Sequence, residues 1–400
     1  MRIELLCSGT ELLRDKVNSN TVLVAQRLSS LGLHLAQITT VGDDAGDFEA
    51  ALASCLRRSA VVLTSGGLGP TFDDLTRECV SKVLKRPLLF SKKILKQIGG
   101  RQAYLIRGAR PILNRTGTAP GQIIPLGKKT LILLPGPPRE LLPMMDSAVL
   151  PYLKKTYPHA SSKTLVLHVF GFPESHIDEM IRPVVDRKWS QDGLTVTFGI
   201  LAHRSIIDVK ATVQGKSPSA VKTLSGKIRK SLYGILGPKI YGEGEETLES
   251  VVGRMLKKKG KTLSLAESCT GGLIASKITN VPGSSDYLLE GLVTYSNAAK
   301  TRLLGIKPDI LRRYGAVSEP TALKMARGAL TRSGSDWAVP VTGIAGPSGG
   351  TKEKPVGTVC FGIASKKGAR AFTEKLFGDR NQIRERAALS ALDALRRAIR

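Results

Sequence analysis

The sequence predicts an α/β protein of three domains, and two features of its pattern carry that prediction. Short apolar segments alternate with amphipathic segments over residues 1–164 and again over residues 247–400, as expected for helices packed on mainly parallel sheets. Residues 165–246 lack this alternation and form a smaller α+β pattern. We therefore expect two α/β domains joined by a connector, and a length of 400 residues agrees with two or three domains.

The first domain begins with strands and helices in turn. The predicted order is strand, helix, strand, helix, strand, over RIELLCSG, the amphipathic Asn20–Leu33, HLAQITTVG, DFEAALASCLRRS and AVVLTSGG. Three loops lie at strand ends of the same sheet: GTELL at residues 9–13, SGGLGPTFDDLT at residues 65–76 and LPGPPREL at residues 134–141. Since ligands favour the carboxyl ends of parallel strands, these loops are candidates for a site.

The connector and the second α/β domain follow with their own patterns. In the connector, strands are predicted over TLVLHVFG, LTVTFGIL and SIIDVKATVQ, and helices near Glu174–Asp186 and Ser219–Leu232. After GEGEE at residues 242–246, a helix is predicted over TLESVVGRMLKKKG, and strands over KTLSLAES, GLVTYS, WAVPVTG, GTVCFGIAS and RAFTEKLF. Further helices are predicted at Gly272–Thr279, Glu319–Thr331 and Gln382–Ile399. Ser318, followed by proline within the first turn, marks the start of one of them.

Charge is the unusual feature of the composition. The chain has 60 Lys and Arg against 33 Asp and Glu, a net charge of +27, which raises the question of nucleic-acid binding. The excess is spread over all three segments, and aromatic residues make up only 5% of the chain, too few to indicate a stacking platform. Nucleic acid is therefore a partner that the sequence leaves open but does not favour.

Other features exclude several protein classes. No apolar run approaches the roughly 18 residues that span a bilayer, and the acidic residues of MRIELLCSGTELL argue against a signal peptide. The five cysteines form no CxxC pair, which argues against a disulfide framework or a cysteine zinc cluster. We expect a cytoplasmic protein with no membrane partner.

Ser268 is the first candidate for chemistry. AESCTGG at residues 266–272 places it between a buried strand and a helix, where unpaired backbone N–H groups suit a developing oxyanion. Serine needs a base to act as a nucleophile. No histidine follows His203, so Lys300, at the end of another predicted strand, is the candidate base. The alternative is that Ser268 only caps the helix.

Further loops could bind phosphates. VTGIAGPSGG at residues 341–350 follows a strand and begins near Thr342; glycine-rich loops of this kind bring backbone close to phosphate or ribose, although an ordinary turn explains it equally well. Arg380 precedes the last helix. In the first domain, Asp73 and Asp74 follow a glycine loop and could hold Mg²⁺ together with substrate phosphates, or simply cap a helix.

Together these motifs resemble the CinA family of competence/damage-inducible proteins over nearly the whole chain. The C-terminal resemblance rests on AESCTGG, GLVTYSNAAK, GAVSEPTALKMARGAL, TGIAGPSGGTKEKPVGTVCF and FGDRNQIRERAALSAL, in the family's order. The N-terminal domain is similar to the molybdopterin-binding fold through GTELL, TSGGLGPTFDDLT, GTAPG and LPGPPREL. The middle segment, beginning FGFPESHIDEMI, resembles the family's KH-like connector.

The resemblance implies a nicotinamide-nucleotide amidase in the C-terminal domain, which converts nicotinamide mononucleotide and water to nicotinic acid mononucleotide and ammonia without a cofactor. Ser268 would be the nucleophile and Lys300 its base, while Tyr295 and Thr342 would position the substrate or the oxyanion. Arg380 would bind the phosphate. The motif residues that would complete the substrate site are Glu267, Thr270, Gly271, Gly343 and Gly346.

For the N-terminal domain the resemblance implies hydrolysis of ADP-ribose to AMP and ribose 5-phosphate with a divalent metal (Mg²⁺, Mn²⁺ or Co²⁺). Asp74 and Asp73 would hold the metal, and the substrate-binding residues would be Gly66, Gly67, Gly69 and Thr76. A homodimer is expected from the resemblance and the basic connector. The alternative function is that of a competence- or recombination-associated binding or adaptor protein whose N-terminal domain is degenerate.

Overall fold

The computed structural model describes residues 1–29, 31–92, 94–95, 100–157, 161–189, 193–203 and 205–400. The chain divides into two compact units. The first comprises Met1–Thr164, Trp189–Thr197 and Thr212–Gly226, and the second comprises Leu165–Lys188, Phe198–Ala211 and Lys227–Arg400. Within the described residues, no helix combines the length and the apolar character that crossing a membrane requires.

Helices and strands alternate over residues 3–84, as the sequence predicts, whereas the strands of residues 88–134 follow one another without an α-helix among the described residues. The helices of the described residues are α1 (Ser19–Ser29), α2 (Ala45–Arg58), α3 (Thr76–Leu84), α4 (Pro138–Met144), α5 (Leu150–Thr156), α6 (Glu174–Val185), α7 (Pro218–Leu236), α8 (Leu248–Lys258), α9 (Leu273–Thr279), α10 (Asn297–Leu304), α11 (Pro308–Tyr314), α12 (Glu319–Ser333) and α13 (Arg380–Ile399). The strands of the N-terminal segment are β1 (Ile3–Ser8), β2 (Leu35–Val41), β3 (Val61–Ser65), β4 (Leu88–Phe90), β5 (Tyr104–Ile106), β6 (Arg110–Ile112), β7 (Gly121–Leu126) and β8 (Lys129–Leu134). The later strands are β9 (Ser161–Phe170), β10 (Leu194–His203), β11 (Ile206–Gly215), β12 (Ile240–Glu243), β13 (Leu263–Glu267), β14 (Leu288–Val293), β15 (Trp337–Gly343), β16 (Thr358–Ser365) and β17 (Gly368–Lys375).

The N-terminal sheet is mainly parallel, as predicted. Its order is β2-β1-β3-β8-β7-β6; β1 pairs in parallel with β2 and β3, and β3 with β8, while β7 and β6 continue antiparallel at one edge. Alternate residues of a strand face opposite sides of the sheet. Leu63 therefore packs in one buried cluster with Leu28 of α1, and Val62 packs in the other with Leu52 of α2. Both faces are covered, which explains the continuous apolar runs.

The middle segment forms the predicted α+β arrangement, a four-stranded sheet in the order β10-β11-β9-β12 with α6 and α7 in the same stretch of chain. The order of the three predicted segments and their fold class are confirmed. The predicted boundaries after residues 164 and 246 stay a prediction.

The C-terminal sheet brings three strand ends to one edge. Its order is β14-β13-β15-β16-β17, with β14, β13 and β15 parallel and β16 and β17 antiparallel. Leu265 packs on the side of α8, α9 and α13, and Ala266 packs on the side of α12. The chain leaves β13, β14 and β15 at the same edge, where the candidate residues of this domain lie.

One difference from the sequence prediction matters for the site. The helices α10 and α11 were not predicted, although they follow β14 directly. The reason is visible in α10, whose two buried residues are Leu304 and Lys300. Because lysine counts as a polar residue in an amphipathic pattern, the inward face of α10 lacks the continuous apolar stripe that predicts a helix.

Candidate active site

Ser268 stands at the carboxyl end of the central strand β13. Glu267 pairs with Val341 of β15, and the Ser268 N–H donates to the Val341 carbonyl at 2.9 Å. The sheet ladder therefore fixes the backbone of Ser268 before the chain turns towards α9. The serine side chain is buried, with the residue 7% exposed.

Lys300 reaches Ser268 from the neighbouring strand end. After β14, Thr294 N–H donates to the Glu267 carbonyl at 2.7 Å, and the Ser296 hydroxyl caps α10 by accepting from the Ala299 N–H. This turn directs Lys300 into the protein, where the residue is 1% exposed. Its Nζ lies 3.0 Å from Ser268 Oγ.

The surroundings of Lys300 lower its affinity for a proton. Burial lowers the pKa of Lys300 to about 8, because removal from water disfavours the charged form. Nζ donates to the carbonyls of Thr294 at 2.8 Å and Tyr295 at 3.2 Å. A neutral amine has two N–H groups and one lone pair. With both N–H groups on carbonyls, the lone pair is left for the hydroxyl proton of Ser268.

The neighbouring cysteine offers no competing nucleophile. Burial raises the pKa of the Cys269 thiol to about 12, so the thiol stays protonated at neutral pH, and only a thiolate is strongly nucleophilic. Of the two adjacent side chains, only Ser268 has a base within hydrogen-bond distance.

Glu267 serves the helix rather than the open site. Its carboxylate, 1% exposed, accepts from the N–H groups of Gly272, Ile274 and Ala275 at 3.0, 3.0 and 2.8 Å. These three N–H groups are therefore occupied, whereas unpaired donors were expected at this helix start. The carboxylate of Glu267 holds the start of α9, and its expected role in substrate binding stays a prediction.

A second set of contacts joins the start of α13 to the loops around Ser268. Arg380 donates to the Gly346 carbonyl at 2.5 Å and to the Tyr295 hydroxyl at 3.3 Å. Asp379 caps the helix by accepting from Gln382 N–H. Tyr295 is 61% exposed, so its ring and the Arg380 guanidinium line the open side of the site.

The remaining predicted residues of this domain lie deeper. Thr342 is buried, and its hydroxyl donates to the Ala316 carbonyl at 2.9 Å. The Thr270 hydroxyl is buried and finds no hydrogen-bond partner among the described residues. Gly343 packs closely against Cys269, since a Cβ added to Gly343 would lie 3.0 Å from the Cys269 thiol sulfur. Gly271 adopts a φ of 60°, in the left-handed region that glycine tolerates best.

Sequence reasoning missed Arg384 and the carbonyl of Thr294. Arg384 donates to the Thr270 carbonyl at 2.9 Å and so holds the loop that carries Ser268. It follows Arg380 by four residues, so both lie on one face of α13, a spacing that was visible in the sequence. The Thr294 carbonyl carried no such signal, because any residue supplies one.

The three N-terminal loops meet as expected. A cavity of about 330 Å³ brings Glu11 and Leu12 of GTELL together with Gly136–Pro138 of the third loop and Ser65 at the end of β3. Asn20 joins two of the loops, since its amide donates to Ser65 Oγ at 2.8 Å and to the Gly136 carbonyl at 2.6 Å. This asparagine was not predicted as a site residue.

The glycines of the second loop are required by close packing. A Cβ on Gly66 would lie 2.4 Å from the Ser8 carbonyl oxygen, and one on Gly67 would lie 2.3 Å from Thr76 Oγ1. Thr76 in turn donates to the Gly66 carbonyl at 3.0 Å. A Cβ on Gly69 would meet Asp74 Oδ2 at 2.3 Å. These contacts bring the predicted residues of the loop together.

The carboxylates of this loop, Asp73 and Asp74, are neighbours in sequence, and the contacts of Asp74 are defined. Asp74 Oδ2 accepts from the Thr71 N–H at 2.9 Å and from the Thr71 hydroxyl, which leaves Oδ1 and the adjacent Asp73 carboxylate. The described residues contain no group of three or more His, Cys, Asp or Glu side chains arranged for a metal. Two carboxylates fit a hard ion such as Mg²⁺, which completes its shell with water and substrate phosphates.

Comparison with known proteins agrees with this architecture. Family models match in three consecutive stretches: the probable molybdopterin binding domain at residues 4–155, the damage-inducible protein CinA KH domain at residues 164–242 and the CinA C-terminal domain at residues 245–399. The chain is 44% identical over 423 aligned positions to a CinA-like protein of Endomicrobium trichonymphae, covering 100% of this chain and 99% of that protein. The chain belongs to the CinA family.

Other relatives agree. A CinA-like protein of Kosmotoga olearia is 41% identical over 414 positions, covering 100% of this chain and 99% of its own. Among solved structures, the competence/damage inducible protein CihA from Agrobacterium tumefaciens is 43% identical with a TM-score of 0.36, covering 38% of this chain and 94% of that chain. The family models and the two CinA-like proteins confirm the family resemblance found in the sequence motifs.

Proposed function

We propose that the C-terminal segment of this CinA-family protein is an amidohydrolase that converts nicotinamide mononucleotide and water to nicotinic acid mononucleotide and ammonia. The observation that supports it is the contact between Lys300 Nζ and Ser268 Oγ at 3.0 Å inside a buried site. A neutral amine against a serine hydroxyl is the arrangement that activates the oxygen without histidine or metal.

The proposed reaction has two stages. Neutral Lys300 takes the proton of Ser268 as Oγ attacks the carboxamide carbon, and the carbonyl oxygen becomes an oxyanion. The Lys300 ammonium then protonates the departing nitrogen, so that the C–N bond breaks and ammonia leaves an ester on Ser268. Water, deprotonated by Lys300, attacks this ester, and the returned proton restores Ser268 while the carboxylate product departs.

Substrate binding is assigned to the open side of the site. The Arg380 guanidinium is a suitable partner for the phosphate, since its planar fork matches phosphate oxygens, and its bonds to Gly346 and Tyr295 hold it at the entrance. The exposed Tyr295 ring offers an apolar face to the pyridinium ring. The Thr270 hydroxyl, which has no hydrogen-bond partner among the described residues, supplies a polar group within the loop that carries Ser268.

Ammonia release from nicotinamide mononucleotide tests the proposal. We expect Ser268→Ala and Lys300→Met each to lower kcat by at least about a thousandfold, as for other activated nucleophiles. Lys324→Met, at an exposed position of α12, is the matched control and should retain the wild-type rate. A chelator should not change the rate. Loss of less than tenfold in both site variants would rule out the assigned roles.

For the N-terminal segment we propose metal-dependent cleavage of ADP-ribose to AMP and ribose 5-phosphate. The supporting observation is the cavity of about 330 Å³ at the strand ends, near which Ser8 Oγ and Asn20 Oδ1 are buried without a hydrogen-bond partner among the described residues. Asp74 and Asp73 would hold the ion, whose charge would stabilise the negative charge on the phosphates.

Product analysis tests this second activity. AMP should appear only with added Mg²⁺, Mn²⁺ or Co²⁺, and Asp74→Ala should abolish it. Asp47→Ala, which removes an exposed carboxylate from the first turn of α2, is the matched control. An unchanged rate with a chelator, or in Asp74→Ala, would contradict the metal assignment.

A further inference from the structure

A large cleft lies in the second compact unit, apart from the candidate active site. Its volume is about 1260 Å³, and its walls are the turn after β9, the end of β10, the edge strand β17 and one face of α13. All the residues that line it belong to the same unit. None of the residues assigned to catalysis or substrate binding lines it.

Phenylalanine rings form the apolar part of this cleft. Phe377 is 65% exposed, which is unusual for a residue of this type. Phe372 is stacked on the buried Phe361 with ring centroids 5.0 Å apart, and this contact fixes its orientation. Phe172 lines the opposite wall. Phe377 thus offers an exposed ring and Phe372 a partly buried one, and an aromatic ring is suited to stacking with a planar ring of a ligand.

Cations surround these rings. The side chains of Arg370, Lys375, Arg386 and Arg397 line the cleft. The two carboxylates of the lining already have partners inside the protein. Glu374 accepts from the Ser390 hydroxyl at 2.7 Å, and Asp393 binds Arg396 and Arg397 at 2.7 and 2.6 Å. With four cations against two carboxylates, the lining carries a net positive charge, although Arg397 is paired with Asp393.

The geometry of α13 separates this cleft from the active site. Arg380 and Arg384 contact the loops around Ser268, whereas Arg386, Ser390 and Arg397 line the cleft. At about 100° per residue, the second set lies about 120° around the helix from the first. One helix thus carries two cationic faces, directed to two different places.

We propose that this cleft is a further nucleotide-binding site, which binds an aromatic base on Phe377 and Phe372 and phosphate groups on Arg386 and its neighbouring cations. Aromatic base and phosphate are the ligand chemistry that a positive cleft with exposed phenyl rings recognises. Its volume of about 1260 Å³ exceeds the roughly 300–1,000 Å³ of usual small-ligand pockets. It therefore admits a free nucleoside triphosphate or the nucleotides of a short single strand.

Photolabelling of the full-length protein tests where the ligand binds. We would use 8-azido-ATP and, in a second arm, a short oligothymidylate carrying a photoreactive base, and map the labelled peptides by mass spectrometry. The expected label falls within Gly368–Arg386, and excess nicotinamide mononucleotide should not remove it. Protection by ATP but not by unlabelled oligothymidylate identifies a free nucleotide as the ligand, and the reverse identifies a single strand.

Affinity measurements with the same probes test the residues. Phe377→Ala and Arg386→Gln should each weaken binding by about tenfold, in line with the loss of one stacked base or one phosphate contact. Phe90→Ala and Arg313→Gln are the matched controls, because they remove an exposed ring and a cation elsewhere, and should bind as the wild type does. If Arg386→Gln unfolds, Lys375→Gln at an exposed position of β17 replaces it. Absence of label from the cleft, or equal affinity in cleft and control variants, would overturn the proposal, whereas additional label at the N-terminal loops would belong to the ADP-ribose site proposed above.

Discussion

The pH dependence of the amidase rate tests the role of Lys300 most directly. Only neutral Lys300 can accept the proton of Ser268, and burial lowers the pKa of Lys300 to about 8. With that value, about 1% of the enzyme carries the neutral amine at pH 6, about 10% at pH 7 and about 90% at pH 9. We therefore expect kcat/KM to rise nearly tenfold per pH unit up to pH 7 and to reach a plateau above pH 9.

Initial rates of ammonia release at low substrate concentration measure this profile, because kcat/KM reports the ionisation of the free enzyme. A phosphate monoester has a second pKa of about 6, so ionisation of the substrate overlaps this profile near pH 6 and is nearly complete above pH 7. The matched variant is Lys300→Arg, whose guanidinium stays protonated throughout. It should be inactive at every pH, while Lys324→Arg should reproduce the wild-type curve.

A profile that is flat between pH 6 and 9 would refute the reasoning, because the rate would then not depend on a base with a pKa of about 8. So would appreciable activity of Lys300→Arg, since a permanently charged side chain cannot accept the proton of Ser268. A plateau already reached at pH 7 would also contradict it, as it would require a base of much lower pKa than burial gives this lysine.

Three further predictions concern stability and substrate binding. Because the pKa of Lys300 is lowered from 10.5 to about 8, the unfolded chain binds more protons than the folded protein between these pH values, and the contribution of Lys300 to stability rises with pH. In urea unfolding, the free energy of unfolding of the wild type should rise by about 3 kcal/mol relative to that of Lys300→Met between pH 8 and 10.5. An unchanged difference between the two proteins would contradict the lowered pKa. Glu267→Gln should lower the free energy of unfolding by about 2 kcal/mol and reduce kcat more than it raises KM; wild-type stability would show that its three N–H contacts are dispensable. Arg380→Ala should raise KM for nicotinamide mononucleotide by about tenfold or more. An unchanged KM would contradict the proposal that Arg380 binds the phosphate.

Ser268 could be located from the sequence because its surroundings follow from strand order. A buried apolar strand that ends in small residues and glycines predicts a loop at the carboxyl edge of a parallel sheet, and that is where β13 ends. The approach of Lys300 follows from the same rule, since β14 is the parallel neighbour of β13. What periodicity could not supply was the helix α10, because its buried lysine breaks the apolar stripe by which helices are recognised.

Glu267 shows why a motif does not determine the role of each residue in it. Glu267 is the last residue of β13, whereas Ser268 begins the loop that follows, so neighbouring positions in the sequence do not give the two side chains the same direction. The carboxylate turns towards the start of α9, where it accepts three backbone N–H groups. A helix start attracts a carboxylate through its positive end, and here the protein supplies that anion itself.

The charge of +27 shows a further limit of composition. An average over the chain found too few aromatic residues for a stacking surface, yet Phe172, Phe372 and Phe377 line one cleft together with Arg370 and Arg386. These residues come from segments about two hundred positions apart, so no window of the sequence contains them all. Binding depends on the local density of rings and cations rather than on their overall frequency. A basic composition with few aromatic residues is therefore compatible with a nucleotide site, provided that folding concentrates both in one place.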